Sequence, residues 1–345
     1  MKNETNEKPI TNLSPYDQPH LGKSVWQIVN TLVPFVLSWY AAYESLAISF
    51  WLSLPFSILA AALTVRTFII FHDCCHRSFF KNRLANQIVG YITGVLTLTP
   101  YEQWRYTHVV HHATSGNLDK RGVGDIWTMT LKEYVEASRW KKFYYRLYRH
   151  PIVMYTAGPI FVFLMDYRFN RSGASWKERI NLYLTNLGIV ASVYGMCEAI
   201  GWQAFLMIQL PVFMISSILG IWMFYVQHQF EDSYYATNEN WDFVDAALKG
   251  SSFFKLPAVL NWLTGNIGFH HVHHLNPRVP NYNLIEVHYS NKQLQQVPVI
   301  TLSSSFATMR LVLWDEDNKI MIGWKELRKS INKSKIRNLP TKKVS

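Results

Sequence analysis

Residues 45–76 read SLAISFWLSLPFSILAAALTVRTFIIFHDCCH. From Ser45 to Val65 there is no charged side chain, which meets the roughly 20 residues needed to cross a ~30 Å hydrocarbon slab. The run ends in His72 and His76, four apart. Residues three or four apart share one face of a helix, so the two imidazoles aim at a single point. One stretch therefore couples a membrane crossing to part of a metal site, and the rest of the chain repeats both devices.

Upstream, Trp26 to Tyr43 is a second apolar run, joined to the first around Glu44 without Lys or Arg. By the positive-inside rule that turn faces outward and both feet of the hairpin are cytoplasmic. Arg66 lies where its side chain can snorkel to the interface. Leu84 to Thr99 is apolar but short and holds Asn86 and Gln87. If it crossed, His72 and His108 would stand on opposite sides of the bilayer, so it reads as an interfacial or re-entrant helix. Pro151 to Met165 reads likewise, bounded by Arg149 on one side and by Arg168, Arg171, Lys177 and Arg179 on the other. Ile180 to Cys197 and Ala199 to Val226 make a second hairpin that returns to the cytoplasm at Gln227-His228. The expected fold is an all-α integral membrane protein: two transmembrane hairpins, about four full crossings, interfacial helices and a cytoplasmic helical cap.

Composition agrees, with 49% hydrophobic and 17% charged residues in a chain of 345. The net charge of +11 gathers beside membrane segments. Lys120 to Arg149 is rich in Lys and Arg interleaved with aromatics, which suits anionic headgroups better than nucleic acid. Residues 1–24 form a polar cytoplasmic tail lacking the features of a signal peptide. Residues 25–318 form the membrane domain. Residues 319–345 form a basic cytoplasmic tail, with nine basic residues against one Glu from Lys319 to Lys343. Cys74, Cys75 and Cys197 cannot build a disulfide framework and suggest a reducing compartment.

The histidines carry the chemistry. Besides His72 and His76, the chain holds His108, His111 and His112, then His270, His271, His273 and His274 in the string NIGFHHVHH that starts at Asn266. Each ring brings a donor and an acceptor that a buried site must satisfy, which is too much for core packing. His228 sits where the second hairpin leaves the membrane, on the same side as all three boxes, and is expected to join them. So many imidazoles exceed one tetrahedral zinc and suit two octahedral-leaning ions with positions left for oxygen species, best a pair of irons. Asp73, Asp125, Glu231 and Asp242 are candidates to accept the second ring N–H. Trp104, Trp127, Trp222, Phe224 and Trp262 lie near the boxes and could line a slot for an alkyl chain.

These boxes resemble those of the membrane fatty acid desaturases: HxxxH at His72/His76 and HxxHH at both His108/His111/His112 and His270/His273/His274. The longer strings FIIFHDCCHRSFF, HHATSGNLDKRGVGDIW, FYVQHQFEDSYY and GNIGFHHVHHLNPRVPNY are similar to the acyl-lipid delta-5 members of Gram-positive bacteria. The resemblance implies a di-iron site held by those eight histidines and His228, with Asn266 a water-mediated ligand and His271 an extra histidine competing with His270. It implies oxygen-dependent insertion of a cis double bond into saturated acyl chains of membrane phospholipids, at the cytoplasmic side of a bacterial plasma membrane. No fused electron carrier is visible, so ferredoxin or flavodoxin, both acidic, would deliver electrons to the basic face. Rival readings are an alkyl or carotenoid hydroxylase or ketolase using the same metals, and more remotely a metal-ion transporter. The latter would place ionisable groups in mid-membrane.

Overall fold

The computed structural model describes residues 13–329. The first hairpin is α1 (Leu21–Leu46) and α2 (Phe50–His76), followed by α3 (Arg83–Leu96) and α4 (Tyr101–Thr114). A loop leads through β1 (Met129–Thr130) to α5 (Leu131–Glu136) and α6 (Arg139–Tyr148), then a π-turn at Val153–Ala157 opens α7 (Gly158–Leu164). The second hairpin is α8 (Trp176–Ile200) and α9 (Trp202–His228). Beyond it come α10 (Phe243–Lys249), β2 (Phe253–Lys255), α11 (Ala258–Leu263), α12 (His270–Leu275), α13 (Leu284–Ser290), β3 (Val299–Thr301), α14 (Leu302–Thr308), β4 (Leu311–Asp315) and β5 (Ile320–Gly323). Strands β2 and β3 pair in parallel, and β4 pairs antiparallel with β5 and parallel with β1.

α1, α2, α8 and α9 are the four helices among the described residues that are long and apolar enough to cross a membrane, matching the expected number of crossings. Their surfaces show lipid as the solvent. α1 buries Ser24, Gln27, Thr31, Ser38, Ala42 and Ser45 while exposing Val25, Trp26, Val29, Val33, Val36, Leu37 and Tyr40. Between helices in lipid there is no hydrophobic drive, so small residues let backbones approach. Ala42 of α1 accordingly meets Ala60 and Ala61 of α2 and Ile208 and Val212 of α9.

Local signals set the helix ends. Ser49 caps α2 by accepting from the Leu52 amide at 3.1 Å, so the hairpin turns at residues 47–49 and not at Glu44. α1 begins at Leu21, capped by His20, and takes in residues 21–24 of the expected polar tail. At the other end of α2, Arg77 adopts a left-handed conformation with φ 58° and stops the helix one residue after His76. α2 has 27 residues, about 40 Å at ~1.5 Å per residue, so a crossing is completed with turns to spare for both histidines.

Arg66 does not snorkel. It is buried, its Nε donating to Thr31 at 3.0 Å and its Nη1 to the Trp262 carbonyl. Acceptors on α1 and near the end of α11 draw it inward and fasten the cap to the hairpin. α3, with 14 residues, spans about 21 Å at ~1.5 Å per residue, too short for a ~30 Å slab. It lies on α2 and α4, and Gly90 and Gly94 allow the close approach of Tyr101 and Phe71. The β4–β5 hairpin straddles the expected boundary between residues 318 and 319, with Ile322 and Leu327 buried in the cluster around Met129, Tyr134 and Tyr145. The remainder of the basic tail, residues 330–345, lies outside the described residues.

Candidate metal centre

α3 lies between α2 and α4 in the chain, yet His72 Nε2 and His108 Nε2 are 3.0 Å apart, which establishes that α3 does not separate them across a bilayer. Nine histidines converge into two groups, within each of which the ligand atoms lie no more than 4.8 Å from one another. His72, His76, His108, His112 and His273 form one; His111, His228, His270 and His274 form the other. The spacing explains the partition. His108 and His112, four apart on α4, face the first group while His111 faces the second. α12 does the reverse, sending His270 and His274 to the second group and His273 to the first.

Contacts run ring to ring. In the first group Nε2 atoms meet between His108 and His112 at 3.2 Å and between His112 and His273 at 2.9 Å. In the second they meet between His111 and His228 at 3.2 Å, His228 and His270 at 2.9 Å, and His270 and His274 at 3.1 Å. Three Nδ1 atoms face acceptors: Asp73 for His72 at 3.1 Å, Asp125 for His111 at 2.5 Å and the Gly250 carbonyl for His228 at 3.2 Å. In the neutral ring each of those acceptors receives the Nδ1 N–H hydrogen bond, which leaves Nε2 with its lone pair pointed at other nitrogens. Burial first, and then the surrounding imidazoles, hold His108, His112, His270, His273 and His274 well below the ordinary histidine value. Neutral rings with lone pairs aimed at one another repel unless a cation lies among them, and the buried His76 Nε2 has no hydrogen-bond partner among the described residues. The donor set fits metal ions, and nine nitrogens in two groups fit two.

Other expected residues fall where their local geometry dictates. His271 Nε2 turns away to His288 Nδ1 at 3.0 Å, so the structure brings His270 and not its neighbour into the four-histidine group. Asn266 stands in the left-handed region at φ 59° after Gly265 at φ 53°, a conformation Asn tolerates. Its Nδ2 donates to the Asn281 carbonyl at 3.2 Å. Asn281 returns its own amide and side-chain N–H to Asp73 at 2.7 and 2.8 Å, a link nothing in the sequence pattern announced. Asp242 is instead the N-cap of α10, and the Glu231 carbonyl accepts from the Met321 amide. Cys74 and Cys75 are buried outside both groups. Among the aromatics, Trp104 stacks on His108 with ring centroids 4.2 Å apart, and Phe224 lies 5.2 and 5.1 Å from His111 and His228. Trp127, Trp222 and Trp262 pack instead on Tyr145, on Phe254 and Phe306, and under Arg66.

Helices that cross a membrane and end in two histidine groups able to hold metal ions define a membrane protein with a candidate metal centre. The family model for fatty acid desaturases matches residues 49–301, and the chain belongs to that family. A "Fatty acid desaturase" of Bacillus subtilis (strain 168) is 53% identical over 323 residues, covering 93% of this chain and 92% of that one. An "sn-1 acyl-lipid omega-3 desaturase (ferredoxin)" of Nostoc sp. (strain 36) is 24% identical, covering 78% of this chain and 75% of its own. An "sn-1 oleoyl-lipid 12-desaturase" of Synechocystis sp. is 24% identical over 70% and 69% of the respective chains.

Proposed function

We propose that this chain inserts a cis double bond into saturated acyl chains of membrane phospholipids, using two iron ions held by the nine converging histidines. The carrying observation is the pair of histidine groups at the ends of α2 and α9, where membrane-crossing helices meet the cap. The five-histidine group would hold one iron and the four-histidine group the other, the family resemblance adding Asn266 through a bridging water. Bound iron supplies the oxygen activation and hydrogen removal that no amino-acid side chain performs.

The chain's own residues do the rest. Asp73, Asp125 and the Gly250 carbonyl hold the Nδ1 protons of three ligands, fixing tautomer and ring orientation. Trp104 and Phe224 lie against rings of the two groups, where a methylene chain reaching the metals would touch them. Four candidate crossings with both hairpins footed on the cap side support a site at the cytoplasmic face of a bacterial plasma membrane. Delta-5 placement on phospholipid is the position that the FYVQHQFEDSYY and GNIGFHHVHHLNPRVPNY strings favour. Ferredoxin, part of the name of the Nostoc relative, or flavodoxin would supply electrons. An acidic donor meeting a chain of net charge +11 associates more slowly as salt rises, so turnover with reduced donor falls between low and high ionic strength; a flat salt response would reject electrostatic docking.

The test is the fatty-acid profile, with double-bond derivatisation, of a bacterial host lacking desaturases and expressing this chain or its His273→Ala variant. A new monounsaturated acid in the wild type alone establishes desaturation and reads its position. A hydroxylated product would replace the proposal with the oxygenase reading.

A further inference from the structure

The chain buries one guanidinium that the chemistry above does not use. Arg149, at the C-terminal end of α6, is 2% exposed, and no carboxylate among the described residues pairs with it. Its acceptors come from three separate segments. Nη1 donates to the Trp127 carbonyl at 3.2 Å and to Thr128 Oγ1 at 3.3 Å; Nη2 donates to Tyr225 Oη and Gln229 Oε1, each at 2.9 Å, and to the Leu311 carbonyl at 2.8 Å. Desolvating a cation costs heavily unless it is hydrogen-bonded; Arg149 Nε has no partner among the described residues, so the five bonds from Nη1 and Nη2 carry the compensation and favour one arrangement of those segments.

That arrangement brackets the four-histidine group. Tyr225 and Gln229 flank His228 at the end of α9, and Trp127-Thr128 follow Asp125, the acceptor for His111. Gln229 Oε1 also accepts from Thr128 Oγ1 at 3.2 Å, closing the link between the two segments. Packing alone does not hold this side, because a cavity of about 20 Å³, bordered by His111, Asp125, Thr128, Phe224, His228 and Gln229, lies against it. Room for roughly one water leaves the rings free to shift unless their backbones are tied.

We infer that Arg149 is a positioning residue for the four-histidine metal site, binding the His228 end of α9 to the Asp125 loop so that His228 and His111 present their Nε2 atoms together. The inference rests on reading both histidine groups as metal sites. Lysine retains the charge but offers three donors on a flexible stem, where arginine's planar fork reaches several acceptors at once.

The experiment is metal content and chelator release for full-length protein in nanodiscs. Wild type should hold two irons per chain; Arg149→Lys should retain the ion of the five-histidine group and release the other about 10–100-fold faster, as loss of a ligand's supporting contacts does. In a His228→Ala background, which already lacks that ion, Arg149→Lys should change nothing further. Thr128→Val and Tyr225→Phe, which each remove one acceptor and keep the fold, should give smaller shifts in the same ion. Two irons released at the wild-type rate in Arg149→Lys would overturn the inference, as would equal loss of both ions accompanied by wild-type release in Thr128→Val and Tyr225→Phe. A wild-type chain holding only one iron would overturn the two-site reading first, and Arg149's assignment with it.

Discussion

The two histidine groups share α4 and α12 but are anchored differently. The five-histidine group takes two pairs spaced four apart, His72/His76 and His108/His112, plus His273. The four-histidine group has one such pair, His270/His274, and completes itself with the single residues His111 and His228. A pair on one helix is held in register by the helix itself. A single histidine depends on whatever fixes its helix end or its loop. Helical pairing thus supports four of the five histidines in the first group and only two of the four in the second, which leans more on contacts from other segments.

Removing ligands tests this most severely. His111→Ala and His76→Ala should each reduce desaturated product to the level of cells without the gene, while the protein remains inserted. Iron per chain should fall from two to one in both, by loss of different ions. Retained activity in either variant would remove that residue from the ligand set.

One step out, Asp73→Asn and Asp125→Asn should each weaken metal binding by about 10–100-fold, read by competition with a chromophoric chelator. Asp73 should have the larger effect on protein stability, because its carboxylate also accepts two N–H groups of Asn281, whereas among the described residues Asp125 Oδ2 has no partner. Equal unfolding midpoints for the two variants would contradict that asymmetry in bracing.

Smaller still is the response of the first group to its packing. A Cβ on Gly90 would come within 2.2 Å of the Tyr101 ring, and Tyr101 Oη is tied to the Cys74 carbonyl of α2 at 2.6 Å. Gly90→Ala should therefore shift α4 against α2 and cost about 1–3 kcal/mol, as overpacking does. Chelator release should accelerate for the five-histidine ion before the other. Preferential loss of the four-histidine ion would show that α3 bears on the wrong group.

The same contrast explains what could be read without a structure. Helical spacing makes paired ligands visible as HxxxH and HxxHH, and uncharged runs make crossings visible, so the architecture and all three boxes were legible. His228 carries no motif and was reachable only by counting crossings. Arg66 read as a snorkelling residue because composition cannot tell which face of a helix finds acceptors; Thr31 and the Trp262 carbonyl decided it. Asn281 and Arg149 were invisible for a related reason, since their partners lie 208 residues away at Asp73 and as far as 162 residues away at Leu311. The choice between His270 and His271 also rested on a distant partner, His288.

That choice yields the mildest prediction. His271→Asn should retain two irons, because His271 faces His288 and lies outside both groups. It should nevertheless destabilise the fold by about 1–3 kcal/mol, the usual cost of leaving a buried partner unsatisfied. Burial, and next the neighbouring His288, lower His271 to about 3 from 6.5. A group depressed in the folded state takes up its proton more readily when unfolded, so its contribution is present above pH 6.5 and lost as pH falls toward 3. Metal-free wild type should thus lose unfolding midpoint on acidification through that window, and metal-free His271→Asn should lose less. Identical acid slopes for the two proteins would mean that the ligand histidines alone set the response, and that His271 titrates as it would in the unfolded chain.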